Sequence, residues 1–293
     1  MTMHIDISGS LAKAKLSLEG LSMGDAFGEL FFSNSADKVW FSDLPEGPWK
    51  WTDDTHMALS VVEILKQYGH IEQDALARAF ARRFTEEPYR GYGGGAWKLL
   101  HQISLGADWR EAAPKLFGRG SFGNGAAMRV APVGGFFYLD LPRAAAEAQL
   151  SAAITHAHPE GQAGAIAVAV AAAIVSNTPH PSGREFLKEV LKFIPEGITK
   201  KGIQTALDIP ADELSLAVEI LGTGYRISAQ DTVPFCLWSA AYHLDDFEKA
   251  LWWTARGKGD SDTTCAIVGG IVALSSESMP SEWLNRREPI PSF

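Results

Sequence analysis

The chain has 293 residues, 46% of them hydrophobic, enough for a substantial core in one large domain or two small ones. Its 35 Asp and Glu outnumber 26 Lys and Arg, a formal net charge of -9, so a bulk basic surface for nucleic acid is excluded while an acidic site for divalent cations fits. Cys236 and Cys265 lie in apolar surroundings without a C-x-x-C pair or disulfide framework, and both read as buried free thiols. Residues 1–20 contain no apolar signal core, and the longest apolar run, Gly164 to Val175, is too short and too alanine-rich to span a bilayer; a soluble protein of the cytoplasm with no membrane partner is expected.

In chain order, Leu11 to Met23 predicts a first helix that ends in Gly24-Asp25-Ala26-Phe27-Gly28-Glu29. Ser33 to Lys50, polar and aromatic with two prolines, reads as a loop returning to Trp51. Thr52 or Asp53 then caps a helix in which Met57, Val61, Ile64 and Leu65 recur at helical spacing as far as Tyr68-Gly69. Gln73 to Phe84 forms the next helix, closed by Pro88, and Arg90 to Gly95 a flexible loop. Ala96 to Ile103 and Trp109 to Leu116 read as short helices, followed by Gly118 to Gly125 with four glycines in eight residues. So little side chain lets backbone N–H groups approach a phosphate, although a plain turn accounts for the glycines as well.

Leu141 to Ile154 is a strongly helical composition that leads into Thr155-His156-Ala157-His158-Pro159. The run Gly161 to Val175 is apolar on every side and belongs at the centre of a helical protein. Helices are expected over Arg184 to Phe193, Ala211 to Leu221, Val233 to Tyr242 and Asp246 to Ala255. No set of alternating strand patterns occurs, so residues 1–293 read as one all-α domain.

Two stretches carry chemistry. Thr52-Asp53-Asp54-Thr55 opens one apolar helix, and Gly257-Lys258-Gly259-Asp260-Ser261-Asp262-Thr263-Thr264 opens another. One carboxylate in each place is explained by capping alone, with the second solvated. If the two starts meet, Asp53, Asp54, Asp260 and Asp262 repel one another unless cations lie between them, and hard oxygen ligands suit Mg²⁺, Mn²⁺ or Ca²⁺. A two-metal cluster then resolves the repulsion. Other polar or aromatic residues have plainer readings: His56 on a polar helix face, His158 in a loop, and Trp51, Trp252 and Trp253 in packing. Arg129 either binds phosphate or pairs with an acidic neighbour.

In this order, Gly24-Asp25-Ala26-Phe27-Gly28, Trp51 to Thr55, Arg90-Gly91-Tyr92-Gly93, Gly120 to Arg129, Thr155-His156 and Gly259 to Thr264 resemble the ADP-ribosylglycohydrolase family. The resemblance implies an all-α orthogonal helical bundle with two divalent cations, Mg²⁺ or Mn²⁺, in a cleft. It implies Thr52, Asp53 and Asp54 as one ligand group and Asp260, Asp262 and Thr263 as the other. Ser121, Phe122, Gly123 and Asn124 would hold the diphosphate and ribose, with Gly93 and His156 lining the same cleft. Family members with a catalytic or gating glutamate near the first helix carry it where this chain has Phe32; Glu29 is the nearest substitute, beside Asp53 and Asp54, as acid or base. Phe122 stands where a tyrosine is often found. The implied activity is hydrolysis of the glycosidic bond at C1″ of ADP-ribose, on a modified protein or a small-molecule conjugate. Phe32 keeps a non-catalytic ADP-ribose binder or structural relative as the alternative, and a metallohydrolase for another nucleotide or sugar conjugate as a third.

Overall fold

The computed structural model describes residues 7–32, 44–178, 181–276 and 278–291. Among these residues no β-strand forms; only isolated bridges join Trp49 to Arg287 and Gly123 to Ser228. The helices are α1 (Ile7–Phe32), α2 (Asp53–Tyr68), α3 (Gln73–Glu86), α4 (Gly94–Ser104) and α5 (Trp109–Ala112), then α6 (Ala131–Phe136), α7 (Leu141–Ala153) and α8 (Pro159–Asn177). They continue as α9 (Gly183–Leu191), α10 (Ile198–Ala206), α11 (Leu214–Leu221), α12 (Ala229–Ala241), α13 (Phe247–Ala255), α14 (Ser261–Val272) and α15 (Ser281–Arg286). The fold is all-α.

The first helix does not end at Gly24. It continues through Gly28 to Phe32, because Gly20, Gly24 and Gly28 recur every four residues and form one bare face. An added Cβ would strike the Gly269 carbonyl and Ala273 at Gly20, the Cys265 carbonyl at Gly24 and the Ser261 carbonyl at Gly28. Glycine here serves close approach of α1 to α14 rather than termination, which outweighs its unfavourable helix propensity. Gly269 of α14 meets the Gly20 carbonyl in the same way.

Helix α2 starts where Thr52 caps it, the hydroxyl accepting from the Asp54 N–H, and stops at Gly69 with φ 72°. Helix α8 is long and apolar enough to cross a membrane by length and composition alone, yet 78% of it is buried against the rest of the protein. It packs on α6, α7, α9 and α12 as the central helix. The expected helix Trp109 to Leu116 breaks up: α5 lasts one turn, Pro114 passes it into a 3-10 turn, and Phe117 takes φ 55°. Cys236 and Cys265 are buried free thiols as expected. Of the loop expected over Ser33 to Lys50, residues 33–43 lie outside the described residues.

The C-terminal part returns to α1 and to the approach to α2. Trp283 stacks on Phe27 at 4.6 Å between ring centroids, Arg287 pairs with Glu19 at 2.7 Å, and the Glu288 N–H donates to the Trp49 carbonyl at 2.8 Å. Arg90 holds Glu288 through both oxygens at 2.8 and 3.0 Å while its guanidinium lies 3.6 Å from the Trp51 ring centroid. The residues before α2 are therefore clamped from two sides. Trp51 and Trp252 are buried packing residues, as expected.

If the α1–α14 contact sets the fold, Gly24→Ala lowers stability by about 1–3 kcal/mol, the usual range for overpacking a close contact. Gly94→Ala, where an added Cβ meets nothing within 4 Å, stays within about 0.5 kcal/mol of the wild type. Urea unfolding monitored by circular dichroism measures both.

Candidate functional site

Helices α1, α2 and α14 aim their chemistry at one place. Asp25, between the bare positions of α1, is fully buried and works as an outside cap for α2. It accepts from the Thr52 N–H at 2.9 Å, the Thr52 hydroxyl at 2.9 Å, the Thr55 N–H at 3.0 Å and the Thr55 hydroxyl at 2.5 Å. These bonds satisfy N–H groups that a helix start otherwise leaves unpaired. Asp260 sits at the N-cap of α14 but makes no side-chain cap bond. Its carboxylate accepts instead from Asn124 Nδ2 at 2.6 Å, and Asn124 also donates to the Thr232 hydroxyl at 3.1 Å. A glycine-loop side chain is thereby tied to the second acidic helix start.

The result is a cleft of about 1200 Å³. Every site residue expected from the sequence lines it: Glu29, Thr52, Asp53, Asp54, Gly93, Ser121, Phe122, Gly123, Asn124, His156, Asp260, Asp262 and Thr263. The two acidic helix starts, far apart in the chain, do meet. Phe32 is 57% exposed and stands at the wall of the same cleft. Phe117 and Ile227, both exposed, add an apolar rim that no sequence signal marked.

Burial and mutual repulsion raise the carboxylates. Asp25 and Asp260 are each pushed up to about 7, by loss of water first and by the Asp262 charge as the leading neighbour. Asp53 and Asp54 are raised well above the ordinary carboxylate range by burial, then by Asp262 and Asp25. Asp262 is raised as well, chiefly by burial, and shares a hydrogen bond with Asp260. Among the described residues no three His, Cys, Asp or Glu side chains already stand as a ready ligand set. Two oxygens nonetheless lack a partner in the protein: Oδ1 of Asp54 and Oδ1 of Asp262 are buried without any hydrogen bond. Once ionised, an oxygen so placed lacks compensation from the protein itself, and a donor set of carboxylates and hydroxyls could hold a hard cation such as Mg²⁺ or Mn²⁺.

The glycine loop lines the cleft beside the second acidic helix start. Ser121 Oγ accepts from the Gly123 N–H at 3.1 Å, and the Phe122 carbonyl accepts from the Ala229 N–H at 2.9 Å, which docks the loop on the start of α12. Phe122 is 36% exposed and meets His158 edge to face at 5.4 Å. His158 caps α8, accepting from the Glu160 N–H at 3.1 Å.

Three side chains have roles that the sequence left open or read differently. His56 is buried rather than on a polar face; its Nδ1 bonds the Tyr92 hydroxyl at 3.0 Å, and burial followed by Arg83 and Arg90 lowers its pKa to about 4. Arg129 is fully buried, beside the Phe80 ring at 4.5 Å, and donates to the Gly125 carbonyl at 3.1 Å and the Ser151 carbonyl at 2.8 Å. It anchors loop and helix backbone rather than an acidic partner. Asp25 belongs to the recognisable Gly-Asp-x-x-Gly block, but its capping role required knowing which helix start lay beside it.

The fold and the cleft define the class: an all-helical protein whose carboxylates converge beside a glycine loop. The chain belongs to the ADP-ribosylglycohydrolase family, whose sequence model matches residues 8–290. It is 30% identical over 282 residues to an uncharacterized protein of Archaeoglobus fulgidus, covering 90% of this chain and 88% of that one. Similarity extends to ADP-ribosylarginine hydrolase Tri1 of Serratia proteamaculans, 27% identical over 95% of this chain and 76% of that one. Human ADP-ribosylhydrolase ARH3 is also 27% identical, over 80% of this chain and 73% of that one. A solved ADP-ribosylglycohydrolase-related protein complex shares the fold with TM-score 0.66 and 19% identity, covering 96% of this chain and 94% of its own.

The raised carboxylates fix a pH dependence. Asp25 and Asp260 ionise at about 7 in the fold against 3.8 ordinarily, so the stability they contribute without cations is full below 3.8 and is lost as pH rises through 7. His56 and His156, lowered to about 4 and about 3 from 6.5, contribute in the opposite sense, and their contribution is complete above 6.5. From pH 6.5 to 8 the carboxylates dominate. The Tm of chelator-treated protein falls across that interval; a rise in cation-free Tm over the same interval contradicts these electrostatics.

Proposed function

We propose that this protein hydrolyses the glycosidic bond at C1″ of ADP-ribose, releasing ADP-ribose from a modified protein side chain or a small-molecule conjugate. The observation that carries this reading is the convergence of two acidic helix starts and a glycine loop on one cleft. Family membership and the likeness to proteins named as an ADP-ribosylarginine hydrolase and an ADP-ribosylhydrolase support the substrate class.

Thr52, Asp53, Asp54, Asp260, Asp262 and Thr263 would hold two divalent cations, Mg²⁺ or Mn²⁺, and the partnerless oxygens of Asp54 and Asp262 fit that role. Such cations, when bound, supply positive charge that orients ribose hydroxyls and acidifies water. Gly123 and Gly125 present no side chain, so the diphosphate can lie against the loop backbone, with Ser121 and Asn124 as polar flanks. Phe122 offers a ring face to the base or a sugar, and Gly93 leaves the start of α4 open beside them. A carboxylate among Asp53, Asp54 and Glu29 takes the proton of the attacking water. Burial, followed by the neighbouring carboxylates, raises Asp53 and Asp54 above the ordinary carboxylate range, the direction that strengthens a carboxylate as a proton acceptor.

Phe32 favours a second reading, a non-catalytic ADP-ribose binder, because an exposed phenyl ring stands at the cleft where the resemblance expects a glutamate. Calorimetry with ADP-ribose, paired with turnover of serine-, arginine- and O-acetyl-linked substrates in Mg²⁺, separates the two: tight binding without release on any linkage selects the binder.

On the hydrolase reading, Asp53→Ala combined with Asp54→Ala lowers kcat/KM by about 10²–10³-fold or more, the scale of losing positioned charge at a reacting centre. Bound Mn²⁺ falls in the same variant by metal analysis. Retention of both metal and turnover refutes the assignment.

A further inference from the structure

Behind the glycine loop runs a chain of three side chains. Arg129 Nη2 donates to the Thr155 hydroxyl at 2.9 Å, and that hydroxyl lies 2.8 Å from His156 Nδ1. Thr155 and His156 are 2% and 7% exposed, so water does not substitute freely for these partners. A guanidinium only donates, and a hydroxyl has one hydrogen to place. Among the partners of Thr155 Oγ1, His156 Nδ1 is the one able to accept that hydrogen. Were Nδ1 protonated, Thr155 would face two donors while its own hydrogen had no acceptor, leaving a buried donor unpaired.

The other ring nitrogen faces the loop. A Cβ added at Gly123 or Gly125 would come within 3.2 or 3.3 Å of His156 Nε2, so two glycines keep the space in front of that atom clear. Among the described residues Nε2 makes no hydrogen bond.

We propose that the Arg129–Thr155 pair fixes His156 in the tautomer protonated at Nε2, so that the ring offers an N–H donor to a phosphate or ribose oxygen of ADP-ribose at the glycine loop. This deepens the functional reading above and rests on it for the ligand. Thr155 is then a positioning residue, and His156 a reader of acceptor oxygens rather than a base or a cation ligand, because Nε2 keeps no lone pair. Neutrality of the ring agrees: burial, followed by the Arg129 charge, lowers its pKa to about 3. The Arg129 charge also polarises the Thr155 hydroxyl in the direction that strengthens its donation to Nδ1.

The test is long-range ¹H–¹⁵N correlation NMR of the histidine rings in the full-length protein at pH 7, free and with ADP-ribose, with His156→Gln supplying the assignment. Expected are a pyrrole-type nitrogen at Nε2 and a pyridine-type nitrogen at Nδ1, with the Nε2 signal shifting on addition of ADP-ribose; the reverse pattern overturns the proposal. Thr155→Val removes the hydroxyl at nearly constant shape. It is expected to release the tautomer preference and weaken ADP-ribose binding about tenfold, the scale of one hydrogen bond, while Thr155→Ser restores both. Unchanged tautomer and affinity in the valine variant overturn the role of Thr155, and if that variant does not fold, the wild-type spectrum still decides the tautomer. Wild-type protein with the Nε2 proton in place but no affinity for ADP-ribose removes the functional reading and leaves the hydrogen-bond assignment. ADP-ribose binding with Nδ1 protonated does the opposite.

Discussion

The bare glycine face of α1 is what the site depends on. Without side chains at Gly20, Gly24 and Gly28, α1 lies against the backbone of α14, and Ser261 at the start of α14 touches Gly28 directly. That approach brings Asp25 near Asp262 and lets Asp25 reach sideways to cap α2. One close helix contact thus positions the start of α2 relative to the start of α14. The ring stack of Trp283 on Phe27 and the Arg287–Glu19 pair hold α1 from the C-terminal side.

The same contact creates an electrostatic burden. Asp25, Asp53, Asp54, Asp260 and Asp262 are all buried and all raised, with one another as the leading charged neighbours of most. Threonine hydroxyls and backbone N–H groups ease the load on Asp25, and Asn124 eases it on Asp260. Asp54 and Asp262 each retain an oxygen with no such relief. A fold that keeps carboxylates in this state carries an electrostatic cost, and local destabilisation of that sort is common where a protein reserves groups for a ligand.

Much of this was legible in the sequence because it is written locally. Thr52 before two aspartates, four closely spaced glycines around Phe122, and the apolar run that became α8 each announce a structure within a few residues. What needed the fold was anything decided by a distant neighbour. Gly24 and Gly28 look like a helix end until Cys265 and Ser261 are known to lie against them. Asp260 looks like a cap until Asn124 is seen to hold its carboxylate. His56 looks solvent-facing until Tyr92 covers it, and Arg129 gave no sign that it would bury its charge among carbonyls. Thr155 carried no signal at all beyond preceding His156, since a hydroxyl's role lies in which donor and acceptor it joins.

The most direct measurement is anomalous diffraction from crystals grown with Mn²⁺ and ADP-ribose. A shared cation site predicts two anomalous peaks in the cleft, bounded by Asp53 and Asp54 on one side and Asp260 and Asp262 on the other, with the diphosphate against Ser121 to Gly125. Crystals that hold ADP-ribose in the cleft with no anomalous peak among these carboxylates would contradict it.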